Sequence, residues 1–178
     1  FALIANVFLT SDLFGQITQV TGSPQSNTTT STTLTIAKPS GLAVGDVMIA
    51  NILQSGVDNN NLSDATSSGW TEIAGSNMNT GGDNRYRATL LYKIATGTDV
   101  SATNFSFSLD GDSDDGEGAI VAFTGVDVTG GVDEGGNSGG PFDVDPSNSY
   151  QNINNDNTLN ANAITNGTAN AAIIMFGA

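Results

Sequence analysis

The sequence has no cysteine, no histidine and only four basic residues among 178. Without cysteine and histidine it has no thiol nucleophile, Ser-His-Asp triad, zinc finger or His- or Cys-ligated haem or iron–sulfur cluster. Eighteen acidic residues give a formal net charge of -14, which opposes contact with a phosphate backbone. Four cations are also too few for a membrane-binding basic patch. We therefore expect neither a nucleic-acid partner nor membrane insertion of the mature form.

Charged residues of both signs are scarce, at 12% of the chain against roughly 25% in an average domain. Uncharged polar residues and glycine must therefore cover the surface, which is typical of turn-rich β structure. No window shows a helical period, whereas short apolar or alternating runs recur between Gly/Asn/Asp turns. The pattern predicts an all-β fold, an antiparallel β-sandwich of jelly-roll or immunoglobulin-like type. The predicted strands are Gln16–Thr21, Thr33–Ala37, Asp46–Gln54, Trp70–Ala74, Arg85–Ala95, Thr103–Leu109, Gly118–Val126, Thr158–Ile164 and Asn170–Phe176.

The first nine residues, Phe1–Leu9, form an almost continuous apolar run. It is far shorter than the roughly 20 residues of a membrane helix, but it fits one strand that is apolar on both faces. Because the first residue is not methionine, we expect a secretory signal peptide to have been removed, which predicts an extracellular or cell-surface location. The expected organisation is an N-terminal apolar strand in residues 1–15 and one β-sandwich domain in residues 16–178.

A strand with apolar side chains on both faces must be buried on both sides. Two interpretations stay open: Phe1–Leu9 completes the sandwich of its own subunit, or it fills the open sheet of the next subunit by strand addition, as in pili. The apolar run Ala171–Phe176 near the other end of the sequence suggests an open sheet edge nearby. The candidate donor-strand side chains are Phe1, Leu3, Ile4, Val7, Phe8 and Leu9.

A set of strand and turn motifs carries a family resemblance. In order they are Gly45–Ala50, Gly69–Thr71, Leu91–Ala95, Gly118–Phe123 and Gly125–Asp127. Together they resemble a β-sandwich module that recurs in bacterial surface proteins and phage virion proteins. The resemblance covers roughly residues 28–176 and leaves Phe1–Leu9 outside. It implies an extracellular or virion structural role, names no catalytic residue, and implies that further sequence usually follows the strand matching Ala171–Phe176.

Five carboxylates lie within eight residues and repel one another, by about 1 kcal/mol per close pair even in water. A calcium ion, which takes six to eight oxygen ligands, would remove that cost. The spacing departs from an EF-hand loop because glycine comes one residue late, at Gly116, and no flanking helices are predicted. Two interpretations stay open, a calcium loop in a β-hairpin and a solvated acidic turn. The candidate metal ligands are Asp110, Asp112, Asp114, Asp115 and Glu117.

Two further features have alternative interpretations. Three of the four basic residues, Arg85, Arg87 and Lys93, share one face of a predicted strand, which is either solvated or paired with carboxylates. Trp70 is either a platform for stacking a sugar or a core side chain at the start of a strand. No pair of carboxylates stands out as the acid and base of a glycosidase.

These observations favour a non-enzymatic, secreted structural subunit. Its partners are identical subunits, and it polymerises into an extracellular filament or pilus-like fibre by donor-strand complementation, with calcium as a candidate cofactor. A heterologous contact that does not close produces such an open assembly. Two alternatives remain, a phage virion decoration or fibre protein and a carbohydrate-binding adhesin module.

Overall fold

The computed structural model describes residues 16–56, 62–80, 83–146, 165, 167–168 and 171–174, with backbone only for 76–80 and 83–85. The candidate donor strand Phe1–Leu9 and the predicted strand Thr158–Ile164 lie outside the described residues. No helix in the described part of the chain is long and apolar enough to cross a membrane.

The described chain forms ten strands and one short helix. They are β1 (Thr18–Gln19), β2 (Gln25–Thr29), β3 (Thr33–Ala37), β4 (Val47–Gly56), β5 (Thr71–Thr80), β6 (Asp83–Ile94), α1 (Gly97–Ser101), β7 (Asn104–Ser108), β8 (Ser113–Thr124), β9 (Gly131–Val132) and β10 (Ser138–Gly140).

The strands form a large sheet, a small sheet and a hairpin. The large sheet has the order β1-β8-β4-β6-β5, and β2 also pairs with β8 beside β1. The small sheet consists of β3 and β7, and the hairpin of β9 and β10. Every pairing is antiparallel. The prediction of an all-β antiparallel sandwich is therefore confirmed.

The core lies between the two sheets, on what we call the inner face of the large sheet. Along β4, residues 48, 50, 52 and 54 point to this face and are at most 1% exposed. The small sheet supplies the opposite wall, with Leu34 and Ile36 from β3 and Phe105 and Phe107 from β7. Gly118 lets the sheets approach closely here, because a Cβ would lie 2.6 Å from Ile52 Cδ1 and 3.0 Å from Leu34 Cδ2.

The opposite face of the large sheet, which we call the outer face, is also apolar in one half. We call this the upper half, and it is the half that contains Val47 and Ile49. Val47 and Ile49 of β4 are buried there beside Tyr92 of β6 and Val121 and Phe123 of β8. The segment 125–146, which contains β9 and β10, covers this half, and Tyr92 packs edge-on against Phe142 with ring centroids 4.9 Å apart. The other apolar contributors to this cover are Val126, Val128 and Ile174.

Several local features differ from the sequence predictions, among them the extension of β5 to Thr80 and the unpredicted strands β9 and β10. The polar segment between the predicted strands Gln16–Thr21 and Thr33–Ala37 contains the unpredicted β2, which pairs with β8 from Gln25–Ile120 to Thr29–Gly116. Strand β8 begins at Ser113, five residues earlier than expected, because Ser113–Glu117 continue the pairing with β4. Helix α1 was not predicted. Residues 171–174 form no strand, and Ile173 is 67% exposed.

Candidate functional site

The acidic segment is divided between a turn and a strand. Asp110 and Asp112 lie in the turn between β7 and β8, whereas Asp114, Asp115 and Glu117 lie on β8 itself. In the described part of the chain, no three acidic side chains form a group that is arranged to hold a metal ion. Calcium binding by these five residues stays a prediction, and the segment is not the single loop that the sequence suggested.

Asp110 has a structural role in this turn. Its carboxylate accepts hydrogen bonds from the backbone N–H of Ser63 at 2.7 Å and of Asp112 at 2.9 Å, and from the Ser63 hydroxyl. These donors, the Ser63 hydroxyl first, lower the pKa of Asp110. The backbone N–H of Asp110 in turn donates to Gln54 Oε1 at 2.8 Å. Asp110 thereby connects the β7–β8 turn to the segment around Ser63.

Two residues of the predicted basic strand face are ion-paired with carboxylates, one from a loop and one from helix α1. Arg87 donates through Nε to Asp64 Oδ1 at 2.7 Å and through Nη2 to Asp64 Oδ2. Lys93 Nζ lies 2.7 Å from Asp99 Oδ1. Pairing with carboxylates is therefore confirmed for these two residues, within one chain. The side chain of Arg85 is outside the described set.

Each ion pair has neighbours that fix its carboxylate. Asp64 also accepts from the Thr89 hydroxyl at 3.1 Å. Asp99 accepts from the backbone N–H and hydroxyl of Thr96, which completes a capping box at the start of α1. Burial raises the pKa of Asp99, but the hydrogen bonds from Lys93 and Thr96 outweigh it and the net pKa is lowered. The pKa of Glu72 is raised by desolvation and by the nearby Asp64.

Trp70 belongs to the inner core. It is 9% exposed and packs edge-on against Phe105 and Phe107, with centroid distances of 5.5 and 5.2 Å. The core interpretation is confirmed, and the alternative of a sugar-stacking platform at Trp70 is wrong. Its indole N–H has no hydrogen-bond partner among the described residues.

The lower half of the outer face is concave and is left open by the described residues, and we call it the outer groove. Cross-strand rows place Leu53 between Glu117 and Ala88, Ser55 between Asp115 and Tyr86, and Asn51 between Ala119 and Leu90. Two adjoining depressions of about 640 and 400 Å³ run along it and share Thr28, Leu53 and Glu117. Tyr86 is 40% exposed at one wall. The groove is lined chiefly by Ser26, Thr28, Asn51, Leu53, Ser55, Tyr86, Asp115, Glu117 and Ala119.

The two edges of the large sheet are also distinct surfaces. At one edge, the short strands β1 and β2 pair with successive parts of β8. The other edge is β5, ten residues long, which pairs with β6 on one side and has no strand on its other side in the described part of the chain. A long edge strand exposes a row of backbone N–H and C=O groups, which is a template for pairing with another chain.

No family model, no curated protein and no solved structure matches this chain. The resemblance to surface and virion modules therefore stays a prediction from the motifs. Function is argued below from the outer groove, the sheet edges and the ion pairs.

Proposed function

We propose that this protein is a non-enzymatic structural subunit of an extracellular homopolymer, in which Phe1–Leu9 of one subunit adds a strand to β5 of the next. The observation that supports the proposal is that β1, the first described strand, and β5 lie at opposite edges of the large sheet. The chain enters the described sandwich at Gln16 and forms β1 at one edge, and β5 is the other edge. Contacts between opposite edges are heterologous, and heterologous contacts that do not close into a ring produce an open polymer.

The edge strand β5 has the composition of an acceptor. Natural edge strands are commonly protected by proline, by several charges or by a short length. β5 has ten residues, no proline and a single charged residue, Glu72. Its length matches the nine residues of Phe1–Leu9, and strand addition gives affinity through backbone hydrogen bonds.

Distance favours addition between subunits over addition within one subunit. Four strand spacings separate β1 from β5, a straight-line width of about 19 Å. The eight residues 10–17, which connect Leu9 to β1, span at most about 28 Å when fully extended. A route to the chain's own β5 must also pass around the sandwich, which is longer than the straight line. The β5 of a neighbouring subunit imposes no such detour.

A cysteine scan tests the proposal directly, because the native sequence has no cysteine. Single cysteines at positions 2–8 are combined with Thr71→Cys on β5, and oxidised assemblies are separated on denaturing gels without reductant. We expect a ladder of disulfide-linked oligomers at one scanned position, or at two positions that are two residues apart and therefore share a strand face. The reason is that a disulfide needs Cα atoms within about 7 Å.

The matched control places the second cysteine at Thr33, which is exposed on the small sheet. Equal ladders with Thr33→Cys, or none with Thr71→Cys at any scanned position, would overturn the β5 assignment. Deletion of residues 1–9 should abolish filaments in negative-stain images, and persisting filaments would overturn the donor role of Phe1–Leu9.

A further inference from the structure

We propose that the outer groove is a binding site for a neutral oligosaccharide. This inference goes beyond the proposed assembly, because it concerns a different surface from the β5 edge. The proposed sugar-contacting aromatic residue is the exposed Tyr86, because Trp70 is buried in the core. The argument depends on the shape of the groove, its polar groups and the occupants that its charge excludes.

The shape follows from side-chain size along the cross-strand rows. The β4 residues Asn51 and Leu53 form the floor, and the small residues Ala119 and Ala88 lie beside them on the neighbouring strands. Tyr86 forms one wall and the β2 residue Thr28 the other. The result is a trough that spans several strands and stays open at the surface, so it suits an extended ligand better than a compact one enclosed on all sides.

The groove combines an exposed aromatic ring with hydrogen-bonding groups. The C–H face of a sugar ring packs on an aromatic side chain, which buries apolar area. Sugar hydroxyls donate to carboxylates, and Asp115 and Glu117 stand two residues apart on the same face of β8, about 7 Å from each other. The Thr28 hydroxyl adds a group that both donates and accepts.

The carboxylates of Asp115 and Glu117 make an apolar strand or an anionic ligand unfavourable in the groove. In the described part of the chain, neither Asp115 nor Glu117 has a salt bridge. An apolar strand laid over them would bury two charges without partners, at a cost of several kcal/mol. An anionic ligand is opposed by both groups and by the net charge of -14. A neutral, hydroxyl-rich ligand satisfies the carboxylates through hydrogen bonds and avoids both penalties.

Binding is measured by NMR titration of the protein lacking residues 1–9, and of the full chain, with neutral pentasaccharides of glucose, mannose and N-acetylglucosamine. We expect at least one to shift signals of the groove residues. Tyr86→Ala should weaken that binding about tenfold through loss of the ring contact, and Tyr86→Phe should retain most of it. Glu117→Gln should weaken it independently, and Thr33→Ala on the small sheet should leave it unchanged.

The outcomes separate this site from the assembly. Binding to the deletion variant with unchanged affinity supports a groove that works without Phe1–Leu9. Failure of all three sugars to bind, or equal binding by Tyr86→Ala, Glu117→Gln and wild type, overturns the proposal. The proposal is also overturned if spermidine or calcium chloride shifts the signals of the groove residues and the sugars do not, because the carboxylates would then form a cation site.

Discussion

On its inner face the large sheet is buried from Met48 to Gln54, whereas on its outer face the described residues, chiefly those of the segment 125–146, cover only the upper half. The same strands supply both faces, so strand propensity does not explain the difference. The inner rows include the large side chains of Met48, Ile52, Leu91 and Ile120, which pack into the core opposite the small sheet. The lower outer rows carry Leu53 and Leu90 beside small and polar residues, with the exposed ring of Tyr86. The inner face therefore forms the core, whereas the outer groove is the surface that we propose for a ligand.

The charged groups differ in the same way. On the inner side Arg87 and Lys93 are each held by a carboxylate, Asp64 and Asp99. These pairs attach the segment around residue 64 and helix α1 to β6. On the outer side Asp115 and Glu117 have no such ion pair in the described part of the chain. The first group supports the fold, and the second is available to a ligand.

The largest expected effect comes from the inner core. Phe107 is fully buried, so Phe107→Ala should lower the free energy of unfolding by about 3–5 kcal/mol through lost burial and a cavity. The matched change on the outer side, Tyr86→Ala, should cost about 1 kcal/mol or less because the ring is already 40% exposed. Urea unfolding followed by Trp70 fluorescence measures both. Equal losses would break the distinction between the two faces.

Removal of an inner carboxylate should have the next largest effect. Asp64→Ala leaves the partly buried guanidinium of Arg87 without its bidentate partner. We expect a loss of about 2 kcal/mol in unfolding free energy, below the cost for a fully buried pair because both side chains keep some solvent contact. The double variant Asp64→Ala/Arg87→Met should recover part of the loss, and strict additivity in the double-mutant cycle would contradict the coupling.

The alternation in β6 predicted which residues share a face, but not which face is covered. The face with Arg87 and Lys93 was as compatible with solvent as with ion pairs, because the partners Asp64 and Asp99 come from a loop and from α1, whose positions depend on the whole fold. A local signal for α1 was present in the Thr96–Asp99 capping box.

The missed strand and the groove have a different cause. β2 has no apolar period, since its pairing with β8 depends on backbone hydrogen bonds more than on side-chain burial. The outer groove brings together Thr28, Leu53, Tyr86 and Glu117 from four strands. Only the register between those strands places them side by side, and sequence spacing carries no information about it.

A smaller effect is expected from pH at the Lys93–Asp99 pair. The pKa of Asp99 is lowered in the folded protein, so its contribution to stability is present above the unfolded pKa of about 3.9. That contribution is lost as the pH falls through the lower, folded pKa. Asp99→Asn should therefore lower the free energy of unfolding by about 1 kcal/mol at pH 7. The difference from wild type should vanish in strong acid, and a difference that persists there would contradict the assignment.

The smallest expected effect concerns the outer carboxylates. Asp115 and Glu117 have no ion pair in the described part of the chain and face each other's charge across about 7 Å. Glu117→Gln and Asp115→Asn should each change the unfolding free energy by less than about 0.5 kcal/mol, and the neutral forms should be equal to or slightly more stable than wild type. Chemical denaturation at pH 7 measures the change. Carboxylates that contribute nothing to stability would agree with the proposed ligand role of the groove, whereas a loss comparable to Asp64→Ala would assign them a structural role and remove the main contrast between the two faces.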